Sequence, residues 1–490
     1  MGDQGAFWIL VAALTLAPLP FGSRDPVTVA VWCGWLGLGV AWAPVQRFRP
    51  PHYGVLAGVA LLLLGYAVVL HEQLSSRPWF SDLDRAWAET AALLGSPVSP
   101  YAAAVRWEPL FALGTPLACV LALVLALSVG ADRRDARRLL RATAWAGVAY
   151  AAYGIVALAL FPGSILWREK TFYVGNLTGT FVNRNTAATY FGSCTLLWFL
   201  FLLEDVRRRW ADRPRGWHDA LFAGIWGETG ARRPVPTSLW ATALCLVATL
   251  LTASRAGSVL TLLTLVLATV VFFRRRFCGV GRATLVTVAA LLCAVVVLQS
   301  LGGGVGARFE AHGLSDEGRL SAWRSTLRMI ADHPWIGRGL GAFTYVFPGY
   351  RDIELSPWGI WNAAHSTPLE IASEVGVPLA TAVALGWIGG VAVLARGSLV
   401  RRRDRMLPLA GLCVGVLAGL HTSIDFSLQV PGCAIVVFGV FGVGLAQAFA
   451  ERDRADDARG IVRPEVTGTP VSSSEAATRP AYSRSASVPL

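Results

Sequence analysis

The sequence predicts an all-α, polytopic membrane protein of about 12 transmembrane helices with one long outer loop, and three observations carry that prediction. Hydrophobic residues make up 54% of the 490 and charged residues only 15%, with a mean hydropathy of +0.52, a balance that soluble globular chains do not show. Apolar runs near the ~20 residues that cross a bilayer recur along the chain. Dense arginine clusters fall only in alternate gaps between those runs, as loops on the cytoplasmic side require.

Taken in order, the spans are expected at 6–22, 27–44, 53–71, 109–130, 139–161, 185–203, 239–253, 256–273, 283–301, 366–395, 407–421 and 431–449. The first lacks a basic n-region and is followed by many more, so it reads as a retained helix, not a secretion signal. With the N-terminus inside, the clusters at 133–141, 207–215, 274–282 and 396–405 share the inner side. The turns at 22–26, 252–257 and 423–431 then lie outside, and both termini are cytoplasmic. The formal charge of +12 is therefore assigned to inner loops; no nucleic-acid partner is expected. The eight cysteines lie in or beside apolar runs without a CxxC pair, which favours small core residues over a disulfide frame or a zinc site.

Three segments remain outside, at 72–108, 162–184 and 302–364. In the longest, "EGRLSAWRSTLRMIADHP" sets Leu320, Trp323, Leu327 and Ile330 at helical spacing before Pro334, so an amphipathic helix is expected along the outer interface. Residues 450–490, rich in Ser, Pro, Thr and charge, read as a disordered tail. The remaining boundaries divide residues 1–164, the first five helices, from 165–449, where the chemistry-bearing residues gather.

An ionisable group beside a span is costly and is therefore a functional candidate. Such groups collect at the outer face: Arg184 opening the sixth span, Arg255 in the turn "TASRAG", His365 with Glu370 and Glu374 in "WNAAHSTPLEIASEVG", and His421 and Asp425 after the eleventh span. In "GNLTGTFVNRNTAATYFG", Asn183 and Asn185 flank Arg184 at a helix start. The free N–H groups there and a planar guanidinium together suit a phosphate; capping and snorkelling are the plainer alternative. Arg255 offers the same pair of readings, a headgroup anchor or a second phosphate contact. His365 is of the type that serves as general base near neutral pH, although a lone histidine at a helix start is more often a cap. On a continuous helix Glu370 and Glu374 would lie about 140° and 180° from His365, so they are expected to brace neighbours and not to orient its ring. "WIGRGLGAF" at 335–343 has the glycines of a dinucleotide loop but no preceding strand, and reads as a flexible turn. "SDLD" places Asp82 and Asp84 as a possible metal pair with no further ligand, so a solvated loop is expected.

The stretches "GTFVNRNTAATYF", "SRAG", "RLSAWRSTLRMIADHPWIGRGLGAF", "NAAHSTPLEIASEVG" and "HTSIDFSLQVPG", in that order, resemble the O-antigen ligase and O-antigen polymerase family of bacterial polysaccharide enzymes, over roughly residues 165 to 445. The resemblance implies a GT-C-like inner-membrane glycosyltransferase with its active site on the periplasmic side under the long loop. Such enzymes move a glycan from an undecaprenyl pyrophosphate-linked donor to an acceptor hydroxyl, on the growing glycan or on lipid A-core, with no cofactor and no metal. It implies Arg184 and Arg255 on the pyrophosphate and His365 as base. Arg319, Arg324, Arg338 and Arg351 are weaker candidates, with Asn183, Asn185, Glu370, Glu374 and Asp425 in support.

The competing expectation is a transporter or flippase of a lipid-linked anion. A transporter should carry its charges near the midplane in two related halves, whereas here they lie at one surface and no half-repeat is visible.

Overall fold

The computed structural model describes residues 2–81, 83, 85–211, 236–274, 317–353, 355, 361–401 and 404–449. Met1–Ala450 forms one compact unit. Its helices are α1 (Gly2–Leu16), α2 (Pro26–Ala41), α3 (Pro50–Leu74), α4 (Ala86–Leu94), α5 (Glu108–Ala112), α6 (Gly114–Val129), α7 (Arg133–Leu160) and α8 (Arg184–Ala211). They continue with α9 (Thr237–Leu251), α10 (Arg255–Phe273), α11 (Glu317–Asp332), α12 (Phe343–Tyr350), α13 (Thr367–Val375), α14 (Val377–Val400), α15 (Met406–Thr422) and α16 (Pro431–Ala448). A two-stranded antiparallel hairpin, β1 (Ser164–Ile165) with β2 (Arg168–Glu169), follows α7.

Seven of the described helical segments are long and apolar enough to cross a membrane, and four shorter apolar helices (Gln4–Leu16, Pro26–Ala41, Thr237–Leu251 and Met406–Thr422) accompany them. Together they fall on eleven of the expected spans; 283–301 lies outside the described residues, as do Asp82, Asp84, residues 212–215 and 275–282 of two arginine clusters and the tail 450–490. The protein is thus a multi-pass membrane protein. α8 and α16 are central, with 89% of their apolar windows buried, whereas α3 and α14 are peripheral at 6% and 11%. Exposed Leu61 and Leu64 on α3 and Leu385 and Ile388 on α14 suit an acyl environment, where apolar surface needs no protein cover.

The expected span 366–395 is two helices. The chain breaks at Gly376, whose φ of +83° belongs to the region that L side chains avoid. A Cβ there would sit 2.1 Å from the Trp335 carbonyl oxygen, so the break is also a close approach of two backbones. Counting apolar residues over the whole span does not register it.

The glycine-rich run 335–343 is part of this contact and is a latch, not a loose turn. Arg338 N and Gly339 N donate to the carbonyls of Ser373 and Glu374, and Val377 N donates to Pro334 O. Gln73, fully buried at the end of α3, donates to Ile336 O at 2.7 Å and Glu374 O at 2.8 Å, and its Oε1 accepts from Leu340 N at 3.1 Å. Three distant segments are pinned by one amide, as a buried side-chain amide must be if its own desolvation is to be offset.

α11 forms where expected, and its small residues are the ones that face inward. Ser321, Ala322, Ser325, Thr326 and Met329 are buried, while Leu320 and Leu327 are 40% and 53% exposed. Ala322 and Met329 join Phe343, Phe347, Leu355 and Ala364 in a small core separate from the main bundle. Small residues let α11 sit close on this core, and its larger apolar side chains are left facing outward, as an interfacial helix requires.

The two ends of the bundle differ. At one end Arg137 bonds Glu204 and Asp404, Arg133 pairs with Asp404, and Gln447 donates to the carbonyls of Gly130 and Ala131. Arg401 donates to Gln447 and Arg405 to Phe272 O. The expected inner clusters at 133–141 and 396–405 therefore share one end. At the other end lie the starts of α8 and α10, the latch, α11 and the turn between α15 and α16.

Candidate functional site

Residues 361–366 and the α15–α16 turn meet at this second end. His365 stands before α13, not on it, with φ +52°, an unusual value for a residue with a side chain. The helical-wheel angles expected between it and the two glutamates therefore do not apply. Its Nδ1 lies 3.3 Å from Asp425 Oδ1, the histidine side chain 23% exposed and the aspartate 1%. Trp361 and Phe426 meet the imidazole edge-on at 5.7 and 5.1 Å. The ring is thus fixed on two sides, with Nε2 outside the bond to the carboxylate.

Asp425 is held in turn. Ser427 Oγ donates to its Oδ2 at 3.3 Å, and Thr367 donates through N and Oγ1 to its carbonyl. Burial pushes its carboxyl up, but the His365 bond and the charges of His421, His365 and Arg319 outweigh that and hold it below the ordinary carboxylate value. Arg319, at the start of α11, donates to Ile424 O at 3.2 Å, so the long outer segment reaches this turn. His421 Nδ1 shares a short hydrogen bond with Thr189 Oγ1 of α8.

Through that bond α8 brings in the arginines. Asn183 Oδ1 accepts from Asn185 N at 2.6 Å and Thr186 N at 3.2 Å, the work of an N-cap. These are among the N–H groups that a phosphate at the helix start would use, so the backbone part of the expected anion site is already taken. Arg184 is different: its guanidinium lies 5.1 Å from the Tyr173 ring centroid, and its Nε and Nη1 are buried without a hydrogen-bond partner. Arg255 repeats the position after its own cap, Ser254 Oγ, which accepts from Gly257 N at 3.2 Å. α8 and α10 run side by side, since a Cβ on Gly257 would meet Ala188 and one on Gly192 would meet Thr261. Arg184 and Arg255 therefore open neighbouring parallel helices at one level.

The other candidates divide. Arg351 leaves Nε and Nη2 buried and unpartnered. Arg338 belongs to the latch: its carbonyl accepts from Ala104 N and its Nη1 meets His333 Nε2 at 3.0 Å. Glu370 accepts from Ala364 N at 2.6 Å and Glu374 from Phe343 N at 3.2 Å, so each holds a stretch of backbone beside it. Burial, then the repulsion of Glu374, raises the Glu370 carboxyl, and burial first of all raises that of Glu374. Among the described residues no group of three or more His, Cys, Asp or Glu could hold a metal ion.

Thr189 was not anticipated, and His421 only as one of the outer-face polar groups. The signal for Thr189 is present: Thr186, Thr189 and Ser193 form a buried polar stripe on a membrane helix, at spacings of three and four.

The described helices thus carry a histidine–aspartate pair and two helix-opening arginines at one end of the bundle. Residues 240–384 match the family model described as O-Antigen ligase, which supports a place for this chain in the O-antigen ligase and polymerase family and implies a membrane enzyme that transfers glycosyl groups. The matched stretch contains Arg255, Arg319, Arg338, His365, Glu370 and Glu374, and ends before Asp425. No curated protein matches the chain.

Proposed function

We propose that the protein transfers a glycan from an undecaprenyl pyrophosphate-linked donor to an acceptor hydroxyl on the periplasmic side of the bacterial inner membrane, as a polymerase or ligase of bacterial polysaccharide. The observation that carries this reading is the His365–Asp425 pair, set at the bundle end where Arg184 keeps buried donors without a partner.

In this mechanism Asp425 fixes the His365 tautomer with the proton on Nδ1, so that Nε2 can accept one. Nε2 takes the proton of the acceptor hydroxyl as that oxygen bonds to the anomeric carbon. The bond from the anomeric carbon to the phosphate oxygen breaks, and its electron pair leaves with the pyrophosphate. Arg184 and Arg255 meet that developing charge with preorganised donors; Arg319 and Arg351 are further contacts from the outer segment. Asn183 acts on Arg184 by capping α8, and Glu370 and Glu374 act on His365 by holding the chain around it. The basic end of the bundle faces the cytoplasm in this orientation.

The test is turnover by purified protein in nanodiscs, with undecaprenyl pyrophosphate-linked oligosaccharide matched to the host. Lipid A-core and EDTA are each added or omitted, and products are read by mass spectrometry. Longer glycans on the carrier identify a polymerase, and glycosylated lipid A-core a ligase. Retention of both activities in EDTA supports chemistry carried by His365 and the arginines, and absence of turnover under all conditions refutes the reading.

A further inference from the structure

The turn between α1 and α2 carries an arginine that the proposed mechanism does not use. Ser23 Oγ donates to Ala17 O at 2.6 Å, and Thr180 Oγ1, just before α8, donates to Pro18 O at 2.6 Å. A Cβ on Gly22 would meet Phe181 at 2.8 Å and Val430 at 2.9 Å, and one on Gly432 would meet Ala17 O at 2.5 Å. The turn is thus wedged between the segment that leads to Arg184 and the one that follows Asp425, at the His365 end of the bundle.

Arg24 closes that turn. Its guanidinium carbon lies 6.0 Å from the Phe426 ring centroid, and the same ring meets His365 edge-on at 5.1 Å. Imidazole and guanidinium are therefore neighbours of one aromatic side chain. Loss of water around the guanidinium lowers its pKa, and the charge of Glu370 on α13 raises it. The group thus stands near α13 in a partly dry recess, while its side chain stays open to solvent. Among the described residues it has no hydrogen bond and no ion pair; the adjacent Asp25 carboxylate accepts from Val27 N instead. Its donor fork is left for a ligand.

In the proposed reaction the acceptor oxygen deprotonated by His365 and the departing phosphate oxygen share one carbon. The sugar-linked phosphate therefore comes within a few bond lengths of the imidazole. A planar fork on the neighbouring ring suits its unesterified oxygens.

We infer that Arg24 donates to the pyrophosphate of the lipid-linked donor from the His365 side, so that a residue outside the matched stretch 240–384 joins the anion site. The inference rests on the proposed function.

Isothermal titration of the full chain in nanodiscs with sugar-free undecaprenyl pyrophosphate tests it. R24Q should bind about tenfold more weakly than wild type, the worth of one charge-assisted hydrogen bond. R24K, which keeps the charge and loses the planar fork, should fall between them. R168Q, which removes an exposed cation stacked on Phe21 of the same turn at 4.5 Å, should bind like wild type. In wild type itself, where folding is not at issue, the ligand should suppress phenylglyoxal modification of Arg24 but not of Arg168, mapped by peptide mass spectrometry. Equal binding by R24Q and wild type, or no protection of Arg24, overturns the inference. An equal loss in R168Q also overturns it, since general attraction of an anion would then suffice. A loss seen only with the glycosylated donor overturns it in favour of a contact to the glycan. Wild type that binds and turns over the donor keeps the proposed function even when R24Q matches it; wild type that does neither ends both.

Discussion

Arg137, in the second turn of α7, and Arg184, which opens α8, lie at opposite ends of the bundle and are used in opposite ways. Arg137 is saturated: two oxygens of Glu204 and one of Asp404 accept from it at 2.6 to 3.1 Å, joining α7, the end of α8 and the approach to α15. Arg184 faces an aromatic ring and keeps two buried nitrogens without a partner. The first arrangement stabilises the fold, because breaking a largely buried pair strands a charge. In the proposed mechanism the second holds binding capacity, since its unmet donors are those that would meet the pyrophosphate. The sequence shows an arginine near a helix start in both places; the difference lies in which carboxylates the tertiary fold brings near.

The comparison is sharpened first at the base. H365A should lower turnover by about 10²- to 10⁴-fold, the usual worth of a general base; a loss below tenfold in steady-state assays would remove His365 from the chemistry. Next, R137Q should cost about 3 kcal/mol of stability, while R184Q should leave the melting curve in place and abolish donor binding, measured by isothermal titration with undecaprenyl pyrophosphate. Equal effects of the two substitutions on stability would erase the contrast between the ends.

D425N should lower kcat by up to about 10⁴-fold at nearly constant KM, as expected when an imidazole loses the group that sets its tautomer. The depressed carboxyl of Asp425 also gives a pH signature. Its stabilising contribution is complete above the unfolded value near ~3.9 and is lost as pH falls through the lower folded value. Wild type should therefore lose more of its thermal midpoint than D425N on acidification below about pH 4. The smallest effect is expected at Glu374, whose carboxyl burial raises. Stability from such a group is present below its unfolded value and declines as pH rises through the folded one. E374Q should accordingly show a flatter fall than wild type in melting scans taken at increasing pH.

Much of this was legible before any coordinates. Helix starts at Arg184 and Arg255 follow from an N-cap residue, Asn183 or Ser254, before each apolar run, and the basic clusters at 133–141 and 396–405 mark one end through the charge asymmetry of the loops. What was hidden is long-range or a matter of backbone approach. His365 and Asp425 are 60 residues apart, and no local period joins them. The stripe Leu320–Trp323–Leu327–Ile330 correctly signalled a helix but not its orientation, because in a membrane protein apolar side chains need not point inward. Gly376 looked like one more small residue in a span, since hydropathy does not sense the Trp335 carbonyl pressed against it.

The Gln73 latch imposes an order in time. Its amide on α3 finds Ile336 only across 263 residues of chain. At ribosomal rates of about 5–20 residues per second, α3 waits roughly 13–53 s in the bilayer before its partner is synthesised. Through that interval the end of α3 must keep its polar group in water or on another protein. Insertion of this helix and closure of the segment that carries His365 are therefore separate events during biogenesis, and the second completes only when residues 335–377 have emerged.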